Sequence, residues 1–392
     1  MPDYSIKLYD DEIMSFRAEK HYDEISIEVL SVTESMRHLF PYDLHPNRDG
    51  ILRWLRRRVI PKKRAFFREI LHSLDLQPND TLGIIDVCKG LSLNDSFWVV
   101  PRGFDGSFSD YNLYENPFSE VLSIVAYTGY GSTDQSFHTS PELTTDGMLP
   151  KAWRKRNNGI YLYKGGSIGA ANTGNEPYSE YYSAQIARAM GINAISYDLE
   201  RWRGILASTC KLFTDIDISY VSMARMIENV SLRKTLEFAS SQGEDFVEQL
   251  HSMLIFDALI RNEDRHFGNF GVLRDNRSGN IISPAPLFDH GLGLFSQVSG
   301  IEVTSADKLL EFANAFTPFY DNVSTRDICD IAMGKRQIQQ LQHLIDFHFT
   351  KHALYNWTDA RLHATEQCIK ARATQLYNLS KDLHKSSKVF MR

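Results

Sequence analysis

The chain has 392 residues, of which 43% are hydrophobic, 12% aromatic and 23% charged, and its formal net charge is −6. This composition excludes a disordered or fibrous protein, and the length exceeds one ordinary core, so two or three subdomains are expected. The acidic balance excludes a surface that is wholly a nucleic-acid platform, while a local basic patch stays compatible with it.

Cys88, Cys210, Cys329 and Cys368 are scattered, with no CxxC pair and no histidine at metal-ligand spacing, so a reduced, cytoplasmic interior is expected. The charged N-terminus lacks the apolar stretch of a secretion signal. No later segment approaches the roughly 20 apolar residues of a membrane span, which predicts a protein without a membrane partner.

Residues 1–140 mix alternating apolar segments, such as ISIEVL at 25–30, with turn-rich and helix-like stretches, and predict an accessory α+β domain. The basic run at 53–68 also carries Trp54, Leu55, Ile60, Phe66 and Phe67. It reads as a solvated helix packed by one face, with a surface for an anionic partner as the alternative. Residues 141–243 run loop, strand (IYLYK at 160–164), loop, helix from Ser179 to Met190, then strands near Tyr197 and over 205–213. That order predicts a small, nucleotide-cradling lobe. Residues 244–392 show helical periodicity, through Phe246, Leu250, Met253 and Leu254 and again over 338–354, and predict a mainly helical C-terminal lobe.

The strongest signal is RNEDRHFGNF at 261–270, followed by LFDHG at 287–291. Phosphoryl transfer needs a carboxylate to orient and deprotonate an attacking hydroxyl, and an amide oxygen plus a second carboxylate as hard ligands for Mg2+. Asp264, Asn269 and Asp289 supply those three groups, and Gly268 and Gly271 permit the tight loop between them. An ordinary polar turn accounts for a lone DxxxxN, but not for the second carboxylate downstream. His266 could serve a hydrolase or a metal instead. With no HExxH and no Cys/His set at ligand spacing, it is placed with the nucleotide-side residues.

Asn262, Asp264, Arg265, His266 and Asn269 fall on an N-x-D-R-H-x-x-N element, and the downstream Phe288-Asp289 on its apolar-aromatic-Asp companion. In these motifs the chain resembles the HipA-like serine/threonine kinases, relatives of the protein-kinase and phosphoinositide-kinase folds. The resemblance implies an α+β, two-lobe kinase-like fold in which Asp264 is the catalytic base and Asn269 and Asp289 hold Mg2+. Asn262-Glu263 and His290 depart from ordinary protein kinases, which puts activation-loop control of their type in doubt.

Lys164 ends the IYLYK strand, where a cation suits the phosphates of ATP, and the resemblance pairs it with Glu180 on the following helix. Lys151, with Gly147 in the preceding loop, is the alternative phosphate ligand. The glycines of GGSIG at 165–169 read mainly as a connector. Phe213, beside the expected hinge, is a candidate adenine contact. Thr144, near Thr145 and Ser140, occupies the place of an autophosphorylated serine in HipA-type toxins.

The resemblance further implies ATP and Mg2+ as cofactors, a protein phosphorylated on Ser or Thr as substrate, an antitoxin protein as partner, and DNA only through that antitoxin. A small-molecule or lipid kinase and a catalytically silent kinase-like binding module are the alternatives.

Overall fold

The strands in chain order are β1 (Asp3–Leu8), β2 (Asp11–His21), β3 (Glu24–Val32), β4 (Phe97–Pro101), β5 (Lys151–Arg156), β6 (Gly159–Gly165), β7 (Tyr197–Trp202), β8 (Ile205–Lys211), β9 (Ile218–Ser222), β10 (Gly271–Asp275) and β11 (Ile281–Pro284). The helices are α1 (Arg48–Arg56), α2 (Phe67–Ser73), α3 (Thr81–Cys88), α4 (Phe108–Tyr111), α5 (Glu120–Thr128), α6 (Glu176–Ala189), α7 (Met223–Met226), α8 (Leu232–Gln242), α9 (Glu244–Ile260), α10 (Ala306–Asn314), α11 (Thr325–Ala332), α12 (Lys335–Gln342) and α13 (Asp359–Phe390). This computed structural model describes residues 2–21, 24–130, 142–145, 147–168, 174–320 and 322–390, with backbone alone at 21, 380 and 382–390. Ser140 and Gly169 lie outside the described residues.

The chain divides into two compact units. The first holds Met1–Lys164, Lys211–Val221 and Val272–Ile282; the second holds Gly165–Cys210, Ser222–Gly271 and Ser283–Arg392.

In the first unit, alternation does the work expected of it: Ile25 and Ile27 of β3 are buried while Glu24, Ser26 and Glu28 are exposed. Strands β3-β2-β1-β4 form an antiparallel sheet in that order. Ile6, Leu8, Ile13 and Phe16 of this sheet pack with Ile51, Trp54 and Leu55 of α1. A second cluster joins Ile70 and Leu71 of α2, Ile84 of α3, and Leu122 and Val125 of α5. A third packs Trp98 of β4 and Phe108 of α4 with Trp153 and Ile160 of the β5–β6 hairpin. Strands β9, β10 and β11 form a three-stranded sheet of order β11-β10-β9.

The basic run at 53–68 is not one solvated helix. α1 ends at Arg56 and α2 begins at Phe67, after Phe66 adopts a left-handed φ of 59°. Arg58 and Arg64 are only 2% and 3% exposed. Arg58 pairs with Asp95 at 2.5 Å and donates to the Gly90 carbonyl at 3.0 Å. Arg64 donates to the carbonyls of Leu143 at 2.6 Å and Lys151 at 2.9 Å. A guanidinium presents five donors in a fixed fork, so buried arginines can satisfy loop carbonyls that would otherwise be orphaned.

In the second unit the core helix is α9, whose residues from Ser252 to Ile260 are all buried. It packs against α8, α11, α12 and α13. Strand β7 pairs antiparallel with β8, Tyr197 opposite Cys210. Helix α6 begins at Glu176, three residues earlier than the pattern suggests. Ser179, where the pattern starts the helix, is buried, its hydroxyl 2.6 Å from the His290 carbonyl and 2.8 Å from the Gly293 carbonyl. Helix α12 stops at Gln342, so the periodicity over 338–354 continues as irregular chain.

That irregular chain braces α6. Tyr182 donates to Asn356 at 2.7 Å and stacks on Trp357, Gln185 exchanges two hydrogen bonds with the backbone of Thr350, and the Trp357 indole donates to Asn175 at 2.8 Å. Among the described residues no helix is long and apolar enough to cross a membrane.

Candidate active site

On the first unit, β5 and β6 pair in antiparallel register with Lys151 opposite Lys164. Directly opposed residues project to the same face, with Cβ atoms roughly 4.5–5.5 Å apart. The two lysines that the sequence offers as alternatives therefore stand side by side. Gly147 adopts φ +103°, and a Cβ there would lie 2.6 Å from the Lys151 ammonium. The glycine thus lets the lysine close on the loop, in a backbone conformation that L side chains rarely adopt.

The same loop is tied down next to Thr144. Buried Glu142 accepts the Leu93 N–H at 2.7 Å and both the N–H and hydroxyl of Thr144 at 2.5 Å. Thr145 accepts the Trp153 indole N–H at 2.8 Å. Phe213 lies just beyond β8, half-buried, with its ring edge-on to Tyr220.

On the second unit, α9 ends because Arg261 takes the left-handed conformation, φ 58°, and its N–H caps the Asp257 carbonyl. The loop that follows folds on Arg265, which is 1% exposed. Its guanidinium grips Asp257 through two bonds of 2.9 and 3.1 Å. It also donates to the Asn269 carbonyl at 3.0 Å and to the Phe288 carbonyl, and lies 2.9 Å from His290 Nδ1. One buried side chain thus joins the backbone of the 262–269 loop to that of the 287–291 turn. Burial pulls the Arg265 guanidinium pKa down, but the Asp257 carboxylate outweighs it and holds the value above the ordinary range.

Asp264 sits half-buried at the mouth of this loop, its N–H donating to Asn262 Oδ1 at 3.3 Å. Asn269 donates its amide N–H to the Asp264 carbonyl at 3.1 Å. Its amide oxygen, turned away by that bond, accepts no hydrogen bond among the described residues. His266 accepts the Gly268 N–H on Nδ1 at 3.0 Å, a use that shapes the loop.

Asp289 has a left-handed φ of 59° and donates its N–H to the Tyr197 hydroxyl at 3.1 Å. Glu180, 1% exposed on α6, accepts the His290 N–H at 2.7 Å. The Tyr197 phenol is held protonated well above its usual range, first by burial and then by the nearby Glu180 carboxylate. The turn carrying Asp289 is therefore fastened from three sides, by Arg265, Glu180 and Tyr197.

Asn269 and Asp289 offer an amide oxygen and a carboxylate, the hard donors that Mg2+ takes alongside water and phosphate oxygens. Among the described residues no group of three or more His, Cys, Asp and Glu side chains is placed to hold a metal, and a sparse oxygen pair of this kind does not suit zinc. Sequence reasoning missed the part played by Asp257. Its signal was a lone acid in the otherwise apolar last turns of α9, seven residues ahead of the motif aspartate.

No protein-family model matches the chain. It is 26% identical over 147 residues to the serine/threonine-protein kinase CtkA of Helicobacter pylori, a stretch covering 32% of this chain and 43% of CtkA. The chain thus matches less than half the length of that relative. The crystal structure of the H. pylori proinflammatory kinase CtkA aligns with TM-score 0.49 and 18% identity over 62% of this chain and 94% of that one. The Shewanella oneidensis toxin–antitoxin HipA, solved with HipB and its operator DNA, aligns with TM-score 0.58 and 12% identity over 96% of this chain and 99% of that one. The chain resembles the HipA-like kinases in its motifs and has their fold.

Proposed function

We propose that the chain is a Mg-ATP-dependent kinase that transfers the γ-phosphate of ATP to a serine or threonine hydroxyl of a protein. The observation that carries this reading is the Arg265 junction, which ties the loop bearing Asp264 and Asn269 to the turn bearing Asp289. In this reading residues 141–243 act as the small lobe, 244–392 as the catalytic lobe and 1–140 as an accessory domain.

Asp264 orients the attacking hydroxyl and accepts its proton as the new P–O bond forms and the γ-phosphate bond to ADP breaks. Asn269 Oδ1 and the Asp289 carboxylate would hold Mg2+, which would neutralise charge on the phosphates. Lys151 and Lys164 together supply positive charge for the phosphates. Gly147 allows that approach, and Phe213 borders adenine.

Transfer of labelled phosphate from ATP with Mg2+ tests the assignment. Asp289→Ala should abolish transfer, and Asp264→Ala should slow it by roughly 10²–10⁴-fold, the usual contribution of a positioned base. Wild-type rates in both variants would remove the site assignment. Label passing to a small molecule or to lipid vesicles instead of protein selects the first alternative, and ATP binding without transfer selects a silent binding module.

A toxin role with an antitoxin partner, and with DNA met only through it, is the second reading. It is favoured by the fold shared with a HipA solved with HipB and operator DNA; growth arrest by wild type but not by Asp289→Ala tests it. A cytoplasmic setting fits both readings. Autophosphorylation of Thr144 belongs to the same reading. A phosphate there adds about −1.5 to −2 charge beside the buried Glu142 carboxylate and would drive the loop out by repulsion. Intact mass after incubation with ATP, for wild type and Thr144→Ala, decides it.

A further inference from the structure

The fold sorts the basic run at 53–68 into inward and outward arginines. Arg58 and Arg64 are consumed by buried carbonyls and Asp95. Arg53 and Arg56 stay exposed on α1 and Arg57 at its C-terminal cap, and with Asp49 and Leu52 they line an open groove of about 430 Å³.

Asp49, Arg53 and Arg57 follow one another at four-residue spacing along one row of the helix, and Leu52 and Arg56 form the next row. Arg57 is already paired, with Asp43 at 2.5 Å. The side chains of Arg53 and Arg56 have no acidic or hydrogen-bonding partner among the described residues. Unpaired like charges within one turn of a helix are mildly destabilising. They are held here in a chain whose net charge is −6. Leu52, half-buried, continues the core beneath α1 up to the groove floor.

We propose that this face of α1 docks an acidic segment of a protein partner, with carboxylates on Arg53 and Arg56 and an apolar side chain on Leu52. Arginine binds carboxylate in a two-pronged geometry, and an arginine rim around an apolar floor is the usual make-up of a protein interface. The half-buried Leu52 among the groove's lining residues favours this occupant over nucleic acid, because a phosphate backbone makes no use of an apolar contact. The docking reading is independent of the catalytic one.

The test is fluorescence anisotropy of a short labelled peptide of repeating Glu-Leu-Glu, set against a short DNA duplex, at low and high salt. The peptide should bind the full chain, weaken as salt rises, and lose roughly tenfold or more in Kd with Arg53→Glu/Arg56→Glu. The uncharged pair Arg53→Gln/Arg56→Gln should lose affinity in the same direction, separating charge from any helix defect. Absence of peptide binding, an unchanged Kd in both double variants, or tighter binding of the duplex than of the peptide each overturns the proposal.

Discussion

Lys151 of β5 stands directly opposite Lys164 of β6, and Lys151 is only 3% exposed. In the proposed kinase this lysine pair serves the phosphates of ATP, with Gly147 beside the Lys151 ammonium. Replacing either lysine by Met should weaken ATP binding by roughly 10- to 150-fold, the equivalent of about 1.5–3 kcal/mol for a hydrogen bond to a charged group. Gly147→Ala should weaken it in the same direction, because its Cβ displaces the Lys151 ammonium. Calorimetric titration with Mg-ATP measures all three, and unchanged affinity in the two lysine variants would falsify the pair's role.

Arg265 and Asp257 form a buried pair, and breaking such a pair from one side leaves an uncompensated charge at a cost of about 3–5 kcal/mol. Arg265→Met should lower stability by that order in urea unfolding. Arg265→Met/Asp257→Leu should recover much of the stability, since an apolar pair can replace a buried ion pair. It should not recover phosphoryl transfer, because the carbonyls of Asn269 and Phe288 still lack their shared donor. Activity returning with stability would mean that the junction is only structural.

Tyr182 lies two residues from Glu180 on α6, on the side braced by Asn356 and Trp357. Tyr182→Phe should cost about 1 kcal/mol, the worth of one hydrogen bond, and Trp357→Ala about 3–5 kcal/mol. Since Glu180 holds the His290 N–H beside Asp289, loosening α6 should also raise the Mg2+ concentration needed for half-maximal transfer. A stability loss with the Mg2+ requirement unchanged would confine the brace to folding.

Lys155 donates to the Tyr114 carbonyl at 2.7 Å and lies over the Phe118 ring, and burial lowers its pKa to about 8 despite the opposing effect of Glu115. Below pH 8 both the folded and unfolded chains carry the proton, and the fold bears the cost of the buried ammonium. Between about pH 8 and the ordinary lysine value near 10.4, only the unfolded chain keeps its proton, so this group makes the fold more stable as pH rises. The Tm of wild type relative to Lys155→Met should therefore increase across that window. A difference that stays flat or falls removes the assignment.

How much was legible in advance depended on how local each feature is. The Asp264–Asn269 loop and the Asp289 turn could be read directly, because the chemistry needs those residue types at short spacing, and glycines and a helix end mark the loop. The alternation that builds β3 and the apolar run that buries α9 were readable for the same reason: their periods are properties of neighbouring residues.

What the sequence by itself determined, then, is the spacing of Asp264, Asn269 and Asp289 in their motifs and the resemblance to kinases. The tertiary structure decided that Lys151 stands opposite Lys164, because strand register is set by pairing between segments. It decided that Arg265 joins two loops through Asp257, because burial turns a charged side chain into a junction only where it meets both a carboxylate and orphan carbonyls. It also split one basic run into buried ties and an exposed groove, since a guanidinium serves equally in either place and only packing selects between them.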